Sequence, residues 1–259
     1  EILNILNCFP AQQRNPDTPK GAALLAEVIR LANIDRQDRP FDPRLYHQLT
    51  ERMMMSTDYA RSAARKIRAR IRSSGETTHL SVMDRFGNMV ALTQSIEGVF
   101  GSFAASPELG FLYNNYMSAY EYRDKSHPYF MRPGAVPWAS VAPTVIFRKR
   151  RPWLAIGSPG SERIASAIAQ VLLHLERKPP FEAVDAPRLH CSINGRVSLE
   201  ASRMRSDIPE AMSRLGLEID PRDPYSFYLG CVQMVLRDGK TFIGVADPRR
   251  DGSAGGPTS

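Results

Sequence analysis

The feature that most constrains the fold is a change of hydrophobic period at Thr77. Upstream, apolar residues recur at helical spacing. Leu24, Val28 and Leu31 follow Thr18-Pro19, with Thr18 placed to cap a helix and Pro19 at its first position. Asp42-Pro43 repeats the device, with Leu45, Leu49 and Met53 on one face, and Met53-Met54-Met55 reads as core filling. A third helical pattern covers 57–71, with Ala60, Ala64, Ile67 and Ile71 inward. Residues 72–76 are small or polar and lack any period, as expected of an exposed linker open to cutting. From Thr77 the period becomes two. Residues 78–84 and 89–96 predict two strands joined by Arg85-Phe86-Gly87-Asn88.

Further strands are predicted near 111–113, 141–147 and 153–156. Gly157-Ser158-Pro159-Gly160 forms a tight loop, and Ser161 is expected to cap a helix over 164–176 that buries Ile164, Ile168, Val171 and Leu175. A shorter helix over 208–215 is stopped by Gly216. Strands at 230–236 and 241–246 flank an Asp238-Gly239 turn. Strand-rich segments with packed helices indicate a layered α/β architecture. No internal repeat or low-complexity segment interrupts it.

Bulk properties exclude little. Hydrophobic content of 42% and charged content of 24% are those of a globular chain. No apolar run reaches the ~18 residues that a membrane span needs. Of the excess basic residues behind the net charge of +7, six sit together: Arg61, Arg65, Lys66, Arg68, Arg70 and Arg72. No aromatic residues are interleaved among them, so they read as a solvated helix face rather than a nucleic-acid patch. Cys8, Cys191 and Cys231 are too widely spaced for a metal motif or a disulfide framework. The chain opens on Glu1, inside what reads as a helix, and is expected to be a fragment of a longer protein.

The chemistry concentrates at the period change. A cut before Thr77 would leave a hydroxyl and a free α-amine on one residue, a self-contained nucleophile and base. An α-amine titrates near 7.7–8.0 and a lysine near 10.4, so the amine is the better base at neutral pH.

The segment TTHLSVMDRFGNMVALTQSI, followed in order by FLYNNYM, VAPTVIF, GSPGSERI, DAPRLH and GVADPRRDG, resembles the γ-glutamyltranspeptidase family of N-terminal-nucleophile hydrolases. The resemblance spans nearly the whole chain. It implies a four-layer αββα sandwich, here partial because the upstream part is missing. Residues 1–76 would be the helical tail of the large subunit with its processing linker, and 77–259 the catalytic small subunit. It implies self-cleavage between Glu76 and Thr77, with Thr77 as nucleophile. Ser95 takes the place of the family's second threonine, which hydrogen-bonds the nucleophile. Gly160 and Ser161 take the place of two glycines whose N–H groups form the oxyanion hole, so Ser161 has to adopt a glycine-type φ. His79 is expected to be structural, since the α-amine already serves as base. No metal or other cofactor is required.

Recognition is where the chain departs from the family. Glu97 replaces an asparagine that helps bind the glutamyl α-amino group, as in the branch containing capsule poly-γ-glutamate depolymerases. Tyr116 replaces a glutamine, and Ala119 replaces the aspartate that grips the α-amino group. Ala139 replaces the first of two serines holding the α-carboxylate, and Ser140 keeps the second. The family's carboxylate-binding arginine lies in the missing large-subunit segment, the expected heterodimer partner. The expected activity is hydrolysis or acyl transfer on γ-glutamyl compounds such as glutathione, or on a related amide. The rivals are an acylase on a non-glutamyl amide of the β-lactam side-chain type, and an inactive remnant with a binding or structural role. Family members are often periplasmic or secreted. Alone, the chain is expected to leave the apolar face of residues 1–6 and 21–33 with nothing to pack on.

Overall fold

A computed structural model describes residues 1–38, 76–123, 125, 127 and 129–257. The helices expected from Asp42 and over 57–71, the linker at 72–75 and the basic run from Arg61 to Arg72 lie outside these residues.

Helix α1 (Ile2–Leu6) leads to α2 (Pro19–Asp38). The expected cap is present: the Thr18 hydroxyl accepts from Gly21 N at 3.1 Å. Strands β1 (Glu76–Met83) and β2 (Met89–Glu97) form an antiparallel hairpin. Its turn is held by the Asp84 carboxylate, which accepts from the N–H groups of Phe86 and Asn88. Strands β3 (Thr144–Arg148) and β4 (Arg151–Gly157) join β8 (Gln233–Asp238) and β9 (Thr241–Ala246) in a four-stranded sheet of order β3-β4-β8-β9. Helices α3 (Arg163–His174) and α4 (Pro180–Asp185) cover one face of this sheet. The β1–β2 hairpin packs on the other. A third sheet contains β5 (Leu189–Cys191), β6 (Arg196–Leu199) and β7 (Glu218–Pro221), and is backed by α5 (Asp207–Arg214).

Two cores result. In one, Leu154, Ile156, Val232 and Met234 of the four-stranded sheet meet Ile164, Ile168 and Val171 of α3. In the other, Ile5, Leu6, Leu25, Val28 and Ile29 meet Leu189, Val197, Leu199, Ile208 and Met212. The second core corrects one expectation. The apolar face of residues 1–6 and 21–33 is buried, because β5, β6 and α5 supply the surface it needs. The uncovered apolar face is on the hairpin instead: Leu80, Val82, Val90 and Leu92 all point outward, roughly half exposed. Among the described residues the layers therefore stack as helix, sheet, hairpin, with no fourth layer beyond the hairpin.

Other differences have local causes. The strand expected at 111–113 is reduced to a single bridge, Leu112 to Ala105. The strand expected at 141–147 begins only at Thr144, after Pro143, which has no N–H to give a ladder. The strand expected from 230 begins at Gln233, because the preceding N–H groups are used elsewhere. Cys231 N donates to the Ser158 hydroxyl and Val232 N to the Asp247 carboxylate. Ser161 does not cap α3; it sits at φ 55°, and its carbonyl instead accepts from Ile164 N.

A buried ion cluster ties the cores together. Arg249 is fully enclosed and donates to both Glu200 oxygens, at 2.8 and 2.6 Å, and to Asp247 at 3.2 Å. Arg188 pairs with the same Asp247 at 2.5 Å. The segments DAPRLH and GVADPRRDG thus meet on Glu200. Removing one partner from a buried ion network strands its counter-charges, at a cost of about 3–5 kcal/mol. Arg249→Met is expected to lower unfolding free energy by about that much in urea titrations. A loss below ~1 kcal/mol would show that the remaining arginines neutralise the cluster by themselves.

Candidate active site

The period of two decides which side chains face inward. Thr77, His79 and Ser81 of β1 share a face with Ala91, Thr93 and Ser95 of β2. Thr77 stands opposite Ser95, and its hydroxyl donates to Ser95 Oγ at 3.1 Å. The register shifts at the next residue: Glu76 pairs with Glu97, and Ile96 is left over as a bulge. The Glu76–Thr77 peptide therefore lies at the one irregularity of the hairpin. Beyond the bulge Glu97 takes a left-handed φ of 69°, and its N–H donates to Ser95 Oγ at 3.0 Å.

A second segment closes on this point. Asn115 N donates to Ile96 O at 3.1 Å, and Asn115 Oδ1 accepts from Gly98 N at 2.7 Å. These bonds dock the single 3-10 turn Tyr116–Ala119 against the end of β2. The Tyr116 phenol lies close enough to Ser95 and Glu97 to interact electrostatically with both. Burial pushes the Glu97 carboxyl above the usual range, against the opposing effects of the Tyr116 hydrogen bond and the Arg36 charge. Burial likewise raises the Tyr116 phenol. Four expected site residues, Thr77, Ser95, Glu97 and Tyr116, thus form one connected group.

The loop after β4 is held nearby. His79 is buried with Nδ1 2.8 Å from Thr93 Oγ1 and Nε2 2.9 Å from Ser81 Oγ. Its ring lies so close to Gly157 that a β-carbon there would sit 2.2 Å from Cε1. One contact therefore joins β1 to the root of the Gly157–Ser161 loop. Gly160, at φ 133°, passes against Gly230, where a β-carbon would meet Gly230 Cα at 2.9 Å. Ser161 adopts the φ of 55° that a glycine would supply, and it is buried. The loop's N–H groups and the positive end of α3 suit an oxyanion. Thr77 and Pro159 line the same cavity, about 750 Å³ in volume.

Ser140 is buried, two residues past Trp138. The Arg36 guanidinium lies 4.6 Å from the Trp138 ring centroid and acts electrostatically on Glu97. Arg36 links the Trp138–Ser140 segment to the Thr77 group, a connection without a signal in the sequence. It sits in the polar tail of α2, where a charged side chain reads as solvated. Burial lowers its pKa.

The sequence description of γ-glutamyltranspeptidases matches residues 1–256. The chain belongs to the γ-glutamyltranspeptidase family. It is 27% identical to the glutathione hydrolase proenzyme of Bacillus subtilis over 98% of its length and 48% of that protein. It is 30% identical to the acylase ACY 1 proenzyme of Pseudomonas sp. strain SE83, covering 83% of this chain and 39% of the acylase. Among solved structures, the cephalosporin acylase of Bacillus halodurans superposes with a TM-score of 0.84 at 25% identity, over 97% of this chain and 47% of the acylase. The γ-glutamyltranspeptidase of Pseudomonas nitroreducens complexed with L-DON gives 0.62 at 25% identity, over 70% of this chain and the whole of the matched chain. The chain spans about half the length of the curated relatives it matches, or less. The N-terminal-nucleophile hydrolase fold of these transpeptidases and acylases is the fold of this chain.

Two consequences are measurable. Burial lowers the imidazole pKa of His79 and of His174 to about 4, and holds that of His190 well below its ordinary value. An unfolded histidine titrates near 6.5, so the folded state binds fewer protons between these values. Stability is therefore complete above about pH 6.5 and falls as pH drops toward 4, by roughly 1–3 kcal/mol per histidine. Thermal melts from pH 7.5 to 4.5 should show this slope, and His79→Gln should flatten it; parallel slopes would remove His79 as a source. Gly157→Ala should lower the melting temperature by several degrees, since its β-carbon collides with the His79 ring. An unchanged melt would mean that the hairpin shifts freely on the sheet.

Proposed function

We propose that this chain is part of a self-processing amide hydrolase in which Thr77 is the nucleophile and, once the Glu76–Thr77 bond is cut, its own base. The observation that carries this reading is the Thr77 Oγ1–Ser95 Oγ hydrogen bond beside a bulge at the Glu76–Thr77 peptide. Ser95 orients the hydroxyl. The freed α-amine takes its proton as the hydroxyl attacks an amide carbonyl. Backbone N–H groups of the Gly160–Ser161 loop stabilise the tetrahedral oxyanion. The amine leaves, and water or an acceptor amine releases the acyl group from Thr77.

The substrate is a γ-glutamyl compound such as glutathione, or a related amide. Glu97 offers a carboxylate for the substrate ammonium, and Ser140 a hydroxyl for the carboxylate. A second reading, acylase activity on a less polar acyl group, is supported by the acylases among the relatives and by Tyr116, Ala119 and Ala139 at recognition positions. The outward apolar residues Leu80, Val82, Val90 and Leu92 support a heterodimer in which a large-subunit segment covers the hairpin.

The test is N-terminal sequencing of the product of the complete gene. A piece beginning at Thr77 is expected from wild type and from Thr77→Ser, and none from Thr77→Ala. A piece beginning elsewhere, or an uncut wild type, overturns the reading. Turnover of a γ-glutamyl anilide against an aliphatic acyl anilide by the processed protein then separates the two substrate classes.

A further inference from the structure

Attack on an amide puts negative charge on an oxygen, and the donors that meet it have to be aimed before the charge forms. We propose that Ser158 is the positioning residue that aims them: its hydroxyl holds the Pro159 carbonyl and so sets the direction of the Gly160 N–H. This inference rests on the reading of the Gly160–Ser161 loop given above and names the side chain on which that loop's orientation depends.

In a trans peptide the C=O and the N–H of one unit point in opposite directions. The unit between Pro159 and Gly160 therefore carries Pro159 O on one edge and the Gly160 N–H on the other. Ser158 Oγ donates to Pro159 O at 2.6 Å. Cys231 N donates to Ser158 Oγ at 2.9 Å, which roots the serine on the segment leading into β8. Ser158 is fully buried, so water does not compete for these bonds. The next unit is set by main chain alone. Gly160 O accepts from Arg163 N at 3.0 Å, which leaves the Ser161 N–H on the opposite edge. Among the described residues, neither the Gly160 nor the Ser161 N–H donates to a protein acceptor, although both residues are buried. Unspent buried N–H groups are rare, and a developing oxyanion is a partner that would use both.

Other contacts fix where the loop lies but not which way this unit faces. His79 sits on Gly157, and Gly160 passes against Gly230. These contacts limit translation of the loop, yet a peptide unit rotates about its flanking Cα atoms without moving them. Gly160 makes rotation cheap, because a residue without a β-carbon has little steric bar to it. A flipped unit would present the Pro159 carbonyl where the Gly160 N–H had been, and so aim a negative dipole at negative charge. The Ser158 bond opposes that flip. Gly230 leaves room for it: a β-carbon there would lie 3.0 Å from Ser158 Oγ and 3.2 Å from Pro159 O.

The complete gene should be expressed as wild type and as Ser158→Ala, and the processed proteins assayed with whichever of the two anilides wild type turns over. Ser158→Ala is expected to lower kcat/KM about tenfold or more. A boronic acid with the same acyl skeleton becomes tetrahedral on Thr77 and reports the oxyanion site. Its affinity is expected to fall by the same factor as kcat/KM, while the free acyl product binds as before. A merely structural loss would weaken product and boronate alike. A processed Ser158→Ala enzyme within about threefold of wild type in kcat/KM overturns the inference. So does one whose product affinity falls as far as its boronate affinity. A soluble Ser158→Ala chain that stays uncut overturns it too, since that places the residue in processing rather than turnover. If Ser158→Ala is insoluble, Ser158→Cys, whose thiol is a weak donor, is read by the same criteria. In each of these cases the Thr77 reading stands, because wild type still cuts and turns over its anilide. A wild type that does neither overturns both.

Discussion

Most of the site depends on the His79 ring seated on Gly157. The hairpin and the four-stranded sheet are separate sheets with no shared ladder, so nothing in backbone pairing fixes one against the other. The imidazole fills the space that a side chain at position 157 would occupy, and Ser81 adds a bond to Gln233 O at 3.3 Å. Thr77 lies two residues from the ring and Gly160 three residues from the glycine. A shift of the hairpin along the sheet would carry the hydroxyl away from the loop that faces it. The histidine performs this task neutral, hydrogen-bonded at both nitrogens and out of water.

On this platform the bulge at Ile96 sets the local chemistry. Without it, strict alternation would send every second side chain of β2 to the same face, and Glu97 would follow Ser95 in an unbroken ladder. The extra residue and the left-handed backbone re-aim Glu97 so that its N–H donates to Ser95 Oγ. Asn115 keeps the arrangement in place by bonding to both sides of the bulge. Strain here is offset by those bonds and, further off, by the enclosed Glu200–Arg249–Asp247 cluster that fixes the end of the sheet.

Legibility in the sequence followed the range of the interaction. The α2 cap, the hairpin, α5 with its Gly216 stop and the last hairpin were readable, because each depends on residues within a few positions of one another. The third sheet was missed. Its Asn194-Gly195 turn was the available signal, but β5 and β6 are short and all but fully buried, so they show no alternation. Ser161 was misplaced as a helix cap because its conformation is imposed by the Gly160–Gly230 approach, across some seventy residues of chain. Arg36 was invisible for the same reason: the ring it stacks against is that of Trp138, about a hundred residues away.

By itself the sequence determined the family, the position of the hydroxyl and the identities of its neighbours. Residue types at fixed spacing along a strand dictate which side chains share a face. It could not determine that Tyr116 and Glu97, on different segments, would gather around Ser95, or that the first helices would find a core in β5, β6 and α5. Those outcomes depend on a bulge, a docked turn and the close approach of two backbones. Each arises only when distant segments exclude water from the same place.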